Sequence, residues 1–307
     1  MDGILVPRLS KYVSAEGAIK TLENKTLRWG IPDSFNDPFE FKNPFAYGFG
    51  WDEMTEVALR EYAHILTQPE EPNLADGNQI APKIKERRKE CKGKDPKEVL
   101  ELLRPRIRPL VQQLKEDAVH DEENWREDKK TFLVLCLSTV HNHILMWSHY
   151  AESHRGAVFE FRPIIYLNNA TLFDTRTLFA HPVVYSLEVP VAATLEEYVG
   201  YLTGQKPKPD TSNAFQKSVY TKSSVWAYEN EWRVLDKKRP GEEGSFVFRE
   251  FNPQELVTVY LGCGMLPEDR RRIIDILAGW GTTVSLFQMR DERIRFELTA
   301  EPISSSK

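Results

Sequence analysis

The chain has 307 residues, of which 41% are hydrophobic, and a net charge of −5. This length can bury the core of one large domain or of a domain with an insertion, and the acidic balance excludes a general electrostatic attraction to nucleic acid, although a local basic face remains open. Cys91, Cys136 and Cys263 are far apart and lack metal-ligand spacing, which indicates reduced thiols. No signal peptide or membrane span is recognisable, so the sequence predicts a cytoplasmic protein without membrane contact.

The N-terminal elements predict the beginning of an α/β core. Leu9–Tyr12 is short and strand-like, and Ser14 is placed to cap a helix over Ala15–Glu23. Thr26–Gly30 predicts a second strand. The proline and Asn-Asp-Pro turn chemistry of Ile31–Glu40 then predicts an irregular loop.

A highly charged segment with helical periodicity follows, and it predicts a helical insertion over residues 51–130. Pro105 and Pro109 are expected to bend its last helix. The core is therefore divided between residues 1–50 and 131–300, and a flexible tail is predicted for 301–307.

The remaining elements predict the rest of the core. The apolar run Thr131–Leu137 is typical of a strand that is buried on both faces, and His143–Ser153 predicts a short helix. The alternation beyond them predicts an α+β fold with a mixed central sheet. The predicted strands are Gly156–Phe161, Val183–Ser186, Glu231–Leu235, Val257–Leu261, Thr283–Gln288 and Arg293–Leu298, and the predicted helices are Thr194–Leu202, Asn213–Lys222 and Pro267–Ala278.

The loop Phe35–Glu40 is the first candidate site, because it concentrates aromatic, amide and carboxylate groups. One interpretation is an Asx-type turn in which Asn36 and Asp37 satisfy the local backbone, and the residues alone favour it. The alternative is part of a binding site, since loops rich in such groups often carry function.

Four histidines form the second candidate site, around the segment Met146–Tyr150: His141, His143, His149 and His154. Their spacing does not place any two of them one helical turn apart, as a helical metal site requires. The sequence therefore predicts no bound metal. A metal-dependent nuclease built on these histidines and Asp37 stays open as a third hypothesis.

Two carboxylates, Glu229 and Glu231, lie two positions apart where a strand begins, which places them on one face of an extended chain. Such a pair can position a hydroxyl group and stabilise positive charge that develops on a sugar. The alternative is a surface strand whose Glu231 and Arg233 are solvated or paired with each other.

Several motifs together resemble a bacterial family known as domain of unknown function 2971. They occur in the family's order and span most of the chain outside the helical insertion. The motifs are Leu9–Tyr12, Leu27–Glu40, Val134–Ser138, Met146–Ala151 with His154 and Gly156, Trp226–Arg233, and Val259–Gly262 with the helix that follows.

A second resemblance is to the ADP-ribosyltransferases, in which a strand, a helix and a second strand precede a late strand that opens with a catalytic Glu. Lys11 and Tyr12 stand where those enzymes carry Arg or His, and Ser34 is the nearest candidate for their serine element. The resemblance implies an enzyme that transfers ADP-ribose from NAD to a macromolecule, as a toxin or phage-defence effector.

The same resemblance implies a role for each candidate residue. Glu231 would bind the ribose hydroxyl and offset the developing charge, and Glu229 would orient the acceptor. The NAD-binding set would consist of Lys11, Tyr12, Ser34, Asn36, Asp37, His149 and Tyr150. Because unpaired polar groups are costly to bury, we also predict that Lys11 or Tyr12, the Asn36-Asp37 loop, His149 and Glu231 lie around a single pocket.

The runner-up is a non-enzymatic module that senses nucleic acid or a partner protein through its aromatic residues and the basic segment Lys83–Lys94. Loss of catalysis on changing Glu231 would favour the enzyme. Binding that weakens steeply with salt concentration, without turnover, would favour the module. The sequence does not distinguish a nucleic-acid acceptor from a protein acceptor, and it does not predict an oligomeric state.

Overall fold

The computed structural model describes residues 7–41, 46–162, 179–210, 213–281 and 283–303. The chain forms two compact units. The first, here called the sheet unit, comprises Met1–Pro38, Lys130–Leu187 and Lys222–Lys307; the second, the helical unit, comprises Phe39–Lys129 and Glu188–Thr221.

The regular elements are numbered in chain order. The strands are β1 (Leu9–Val13), β2 (Thr26–Gly30), β3 (Phe132–Ser138), β4 (Ala157–Phe161), β5 (His181–Pro182), β6 (Val184–Ser186), β7 (Thr221–Ser223), β8 (Glu231–Lys237), β9 (Phe246–Glu250), β10 (Leu256–Leu261), β11 (Ser285–Asp291) and β12 (Leu298–Pro302). The helices are α1 (Ala15–Asn24), α2 (Trp51–Thr67), α3 (Ala81–Cys91), α4 (Pro96–Asp128), α5 (Ile144–Tyr150), α6 (Leu195–Leu202), α7 (Ala214–Tyr220) and α8 (Pro267–Ala278).

The main sheet has the strand order β12-β11-β10-β4-β1-β3-β2-β9, with β8 paired to β3 and β5 paired to β8. The pair β10–β11 is parallel, whereas the other pairs in this sheet are antiparallel. The predicted α+β fold with a mixed sheet is therefore confirmed. No helix of the described residues is long and apolar enough to cross a membrane.

Strand β3 has an unusual set of neighbours, because β1 and β2 share one of its edges. Strand β8 pairs with β3 along its whole length. On the other edge, β1 meets β3 at Ser138 and β2 meets it at Val134. Between these points the Nζ of Lys11 donates to the carbonyl of Cys136 at 2.9 Å, so a side chain supplies the hydrogen bond where the sheet divides.

Alternation along the strands gives the main sheet two different faces. One face carries the main apolar core and is covered by α1 and α8, through residues such as Leu22 and Ile273. The opposite face is covered in part by α5, whose Trp147 is fully buried against Tyr12 at a ring distance of 5.7 Å. The polar residues of the candidate site lie on this second face of β8.

Helix α1 begins where the sequence predicted. The hydroxyl of Ser14 accepts a hydrogen bond of 3.1 Å from the backbone nitrogen of Gly17, which satisfies one donor at the helix start. Its end is fixed by Lys25, which adopts a left-handed backbone with φ of 53°.

The helical unit contains α2, α3 and α4, and it also takes in α6 and α7 from the second segment. Its two apolar clusters are built around Leu59 and Leu103 and around Met54 and Tyr198. Helix α4 is continuous through Pro105 and Pro109.

The final strand differs from the sequence prediction, which set it at Arg293–Leu298. Residues 293–297 form instead a hairpin loop, closed by a hydrogen bond of 3.1 Å from Glu292 N to Glu297 O, and β12 begins at Leu298. The alternation of arginine and apolar residues imitates a strand, but Ile294 and Phe296 are exposed and Leu298 is the first to be buried.

Candidate functional site

The candidate site lies where β8 begins. Asn230 adopts a left-handed backbone with φ of 44°, which separates a short 3-10 helix ending at Glu229 from the strand beginning at Glu231. The two carboxylates therefore belong to different elements, and the predicted extended alternation between them is wrong. The turn at Asn230 still brings both carboxylates to one ammonium group.

Glu231 is held by two cations inside the protein. The guanidinium of Arg233 donates to it twice, from Nε to Oε1 at 2.8 Å and from Nη2 to Oε2 at 3.2 Å, and Lys222 Nζ donates to Oε2 at 2.9 Å. Glu231 is 4% exposed and Arg233 is 0% exposed. Burial disfavours the carboxylate, but the charges of Arg233 and Lys222 outweigh it and hold the pKa of Glu231 well below its usual value.

Lys222 links the two carboxylates. Besides Glu231, its Nζ donates to Oε2 of Glu229, and it lies over the ring of Trp226, 5.2 Å from the centroid. Lys222 and Glu229 are both buried. Two carboxylates and two cations in direct contact give this group a balanced charge, which is what burial of several ions requires.

A chain of hydrogen bonds connects this buried group with the surface. Tyr150 on α5 donates from its hydroxyl to Oε1 of Glu229 at 2.6 Å, and the exposed Asn36 donates to the same hydroxyl at 3.4 Å. Burial, and then the hydrogen bond to Glu229, raise the pKa of Tyr150. We call Asn36, Tyr150, Glu229, Lys222, Glu231 and Arg233 the carboxylate network.

Two further residues hold the backbone of the network in place. The backbone nitrogen of Glu231 donates to the hydroxyl of Tyr185 at 2.8 Å, and Ser138 donates from its hydroxyl to the carbonyl of Glu229 at 2.6 Å. Burial raises the pKa of Tyr185 to about 12. Neither residue was a sequence candidate, because nothing in the local pattern around them points to β8.

Lys11, Tyr12 and Ser34 make their hydrogen bonds to backbone carbonyls. Lys11 donates to Cys136, Tyr12 donates to Val140 at 3.0 Å, and Ser34 donates to Ile31 at 2.7 Å. Burial lowers the pKa of Lys11, which fits its enclosed position at the division of the sheet. These bonds give the three side chains roles in the fold that sequence reasoning did not anticipate.

Asp37 and His149, the other two candidates, differ in exposure. Asp37 is buried at 5% exposure, whereas His149 is exposed and contacts the ring of Tyr150 edge-on at 6.1 Å. The structure thus brings four of the nine candidates into one connected network: Asn36, Tyr150, Glu229 and Glu231.

The histidines stack on tyrosines. His141 lies parallel to Tyr260 at 4.3 Å, and His143 lies on Tyr228 at 5.1 Å. Within the described ranges, no group of three or more His, Cys, Asp or Glu residues is arranged to hold a metal ion.

Comparison with protein families gives a match to the family described as "protein of unknown function (DUF2971)", over residues 146–234. The resemblance predicted from the motifs is therefore confirmed for this segment, which holds every residue of the carboxylate network except Asn36. Neither the curated proteins nor the solved structures gave a match.

Proposed function

We propose that the chain is an ADP-ribosyltransferase-like enzyme that transfers ADP-ribose from NAD to a macromolecular acceptor. The observation that carries this proposal is the connected path from exposed Asn36 through Tyr150 to the buried carboxylates of Glu229 and Glu231. A carboxylate at the start of a late strand is the feature on which the resemblance to these enzymes rests. Such a group can offset positive charge on a sugar.

The two carboxylates take different roles in this proposal. Both oxygens of Glu231 are bound by Arg233, and one of them also by Lys222, so we assign Glu231 to positioning. Glu229 Oε1 is bound by Tyr150, whose hydroxyl also meets the exposed Asn36. Glu229 is therefore the better candidate for contact with the sugar, the role that the resemblance implied for Glu231.

The proposed reaction is a substitution at the ribose carbon that bears nicotinamide. The bond between that carbon and the nicotinamide nitrogen breaks, and its electron pair leaves with nicotinamide. A lone pair of the acceptor forms the new bond to the same carbon, and the acceptor releases a proton. The carboxylate of Glu229 would stabilise the positive charge that the sugar carries between these two events.

Labelled NAD tests the proposal. The full chain is incubated with NAD labelled in its adenine, together with either single-stranded nucleic acid or a protein mixture. We expect label on one acceptor class, reduced by about 10²–10³-fold with Glu229→Gln. Glu242→Gln, which alters a half-buried carboxylate paired with the buried Arg249 elsewhere in the sheet unit, is the matched control and should retain transfer.

A second candidate is a binding module without turnover, and the helical unit supplies the observation for it. On α3 and the turn after it, five lysines are exposed: Lys83, Lys85, Lys89, Lys92 and Lys94. A surface of this kind binds polyanions with a steep salt dependence. An affinity for nucleic acid that falls steeply with salt concentration, with no labelled product at any protein concentration, would favour this candidate over the enzyme.

A further inference from the structure

The ammonium of Lys222 occupies a place that is built for a positive charge. It contacts one oxygen of Glu229 and one of Glu231, and the face of Trp226 lies beneath it at 5.2 Å. Two carboxylates and an aromatic face are the groups that proteins use to bind organic cations. Here the cation comes from the chain itself.

Removal of this ammonium would leave the site short of one positive charge. Glu231 would keep its contact with the guanidinium of Arg233, whereas Glu229 would lose its contact with the ammonium of Lys222. Buried carboxylates without a counter-ion are strongly unfavourable. Whatever displaces Lys222 must therefore bring a positive charge of its own.

Of the two cations in the site, Lys222 lies in the shorter strand. Arg233 lies within the seven residues of β8, which pairs with β3 along its length. Lys222 is the middle residue of β7, a strand of three residues that belongs to a separate two-stranded sheet with β6. Such a small sheet is only marginally stable by itself, so we expect β7 to be displaced more easily than β8.

Aromatic rings next to Lys222 favour a planar ligand. Trp226 is half-buried, and the half-buried Tyr228 lies beside it at a centroid distance of 6.1 Å. An aliphatic ammonium uses only the charge of such a site, whereas a flat cationic ring also gains stacking area.

We infer that Lys222 is a resident counter-ion which a planar organic cation replaces, and that the replacing group is the pyridinium ring of a nicotinamide dinucleotide. The identity of this cation rests on the proposed function. The site itself rests on the contacts of Lys222. Binding exchanges one positive charge for another, so the buried carboxylates keep a counter-ion throughout. The departing nicotinamide is neutral, and its loss of charge lets Lys222 return.

Amine labelling of the wild-type chain tests the exchange. The protein is treated with a trace of an acetylating reagent, alone and with 1-methylnicotinamide, nicotinamide or NAD, and acetylation of each lysine is measured by mass spectrometry. We expect protection of Lys222 in the free protein and an increase of about tenfold or more with the two cationic compounds, in proportion to the loss of burial. Lys20, whose side chain is 62% exposed in a surface pair with Glu16, is the internal control.

Two outcomes of this labelling would overturn the inference. One is unchanged protection of Lys222 at saturating NAD and 1-methylnicotinamide. The other is an equal increase with neutral nicotinamide, since that would remove the requirement for charge. If NAD exposes Lys222 but no labelled ADP-ribose is transferred, the counter-ion exchange stands and the proposed enzyme activity is rejected. If label is transferred while Lys222 stays protected, the enzyme activity stands and the counter-ion exchange is rejected.

A variant provides an independent measurement. Lys222→Ala should lower the Tm, and 1-methylnicotinamide or methylammonium chloride should raise it again by about 2–4 °C, a larger shift than in wild type, where the cation must first displace Lys222. Lys20→Ala is the matched control, and its Tm should shift with each cation by no more than that of wild type. A folded Lys222→Ala protein that no cation stabilises contradicts the inference; where the variant does not fold, the labelling experiment decides alone.

Discussion

The hydroxyl of Tyr150 on α5 donates a hydrogen bond of 2.6 Å to Oε1 of Glu229, across a sequence separation of 79 residues. Through this bond the helix that covers one face of the sheet is joined to the ion pairs at the start of β8. Tyr150 is half-buried and Glu229 is buried, so the bond marks the boundary between the interior group and the surface.

Tyr150→Phe removes this donor without changing the ring. Because Glu229 Oε1 then loses a charge-assisted hydrogen bond, we expect the free energy of unfolding to fall by about 1.5–3 kcal/mol, measured by urea denaturation. Tyr201→Phe in the helical unit is the control for a half-buried tyrosine outside the network. Equal stability of Tyr150→Phe and wild type would mean that the bond is not formed in solution.

Glu231→Gln should destabilise the protein more than Glu229→Gln does. Glu231 accepts hydrogen bonds from two cations, and its loss of charge removes a carboxylate that the fully buried Arg233 contacts through two hydrogen bonds. Breaking a buried ion pair from one side costs about 3–5 kcal/mol. Calorimetry of both variants measures the difference, and a larger loss with Glu229→Gln would contradict the positioning role of Glu231.

The depressed pKa of Glu231 predicts an acid-sensitive stability. In the unfolded chain the carboxyl has its ordinary pKa of 4.5, and in the folded protein the pKa lies well below that value because Arg233 and Lys222 outweigh burial. The unfolded state therefore binds the proton first, and the contribution of Glu231 is complete above pH 4.5 and is lost as the pH falls below it. Denaturation curves from pH 7 to pH 3 should show a steeper decline for wild type than for Glu231→Gln, and parallel declines would argue against this shift.

Ser138→Ala tests the hydrogen bond that holds the backbone of Glu229 in place. The hydroxyl of Ser138 donates to the carbonyl of Glu229 at 2.6 Å and accepts from the backbone nitrogen of Val140 at 3.1 Å, and the residue is 1% exposed. The buried carbonyl of Glu229 and the half-buried nitrogen of Val140 lose a partner in the variant, so we expect the free energy of unfolding to fall by about 1–3 kcal/mol. Ser34→Ala, at an exposed hydroxyl, should stay within about 0.5 kcal/mol of wild type, and a similar small effect at Ser138 would contradict the assigned contacts.

Elements with strong local signals could be predicted from the sequence. Helix α8 occupies the predicted residues Pro267–Ala278, because Pro267 suits the first turn and the apolar residues follow a helical period. Strand β9 was not predicted. Its Phe246 and Phe248 remain about half-exposed, and it follows a charged turn, so neither hydrophobicity nor alternation with a buried face distinguishes it.

The candidate site was predictable in part for a similar reason. Glu229 and Glu231 carry a local signal, since they lie close together where a strand begins. The partners Tyr150 and Tyr185 come from distant parts of the chain, and only the folded sheet brings them to β8. For Lys11 the local signal was misleading. Its position on the first strand suggested a contact with a ligand, whereas its ammonium donates to the carbonyl of Cys136.

Release of nicotinamide from NAD reports directly on the proposed cleavage at the ribose carbon. Purified wild type, Glu229→Gln and Glu242→Gln are compared at equal concentrations of folded protein, with folding verified by calorimetry, and nicotinamide is quantified by chromatography. We expect release by wild type and by Glu242→Gln, and a rate lower by about 10²–10³-fold for Glu229→Gln. Absence of release from folded wild type with every acceptor offered, or equal rates for wild type and Glu229→Gln, would contradict the proposal.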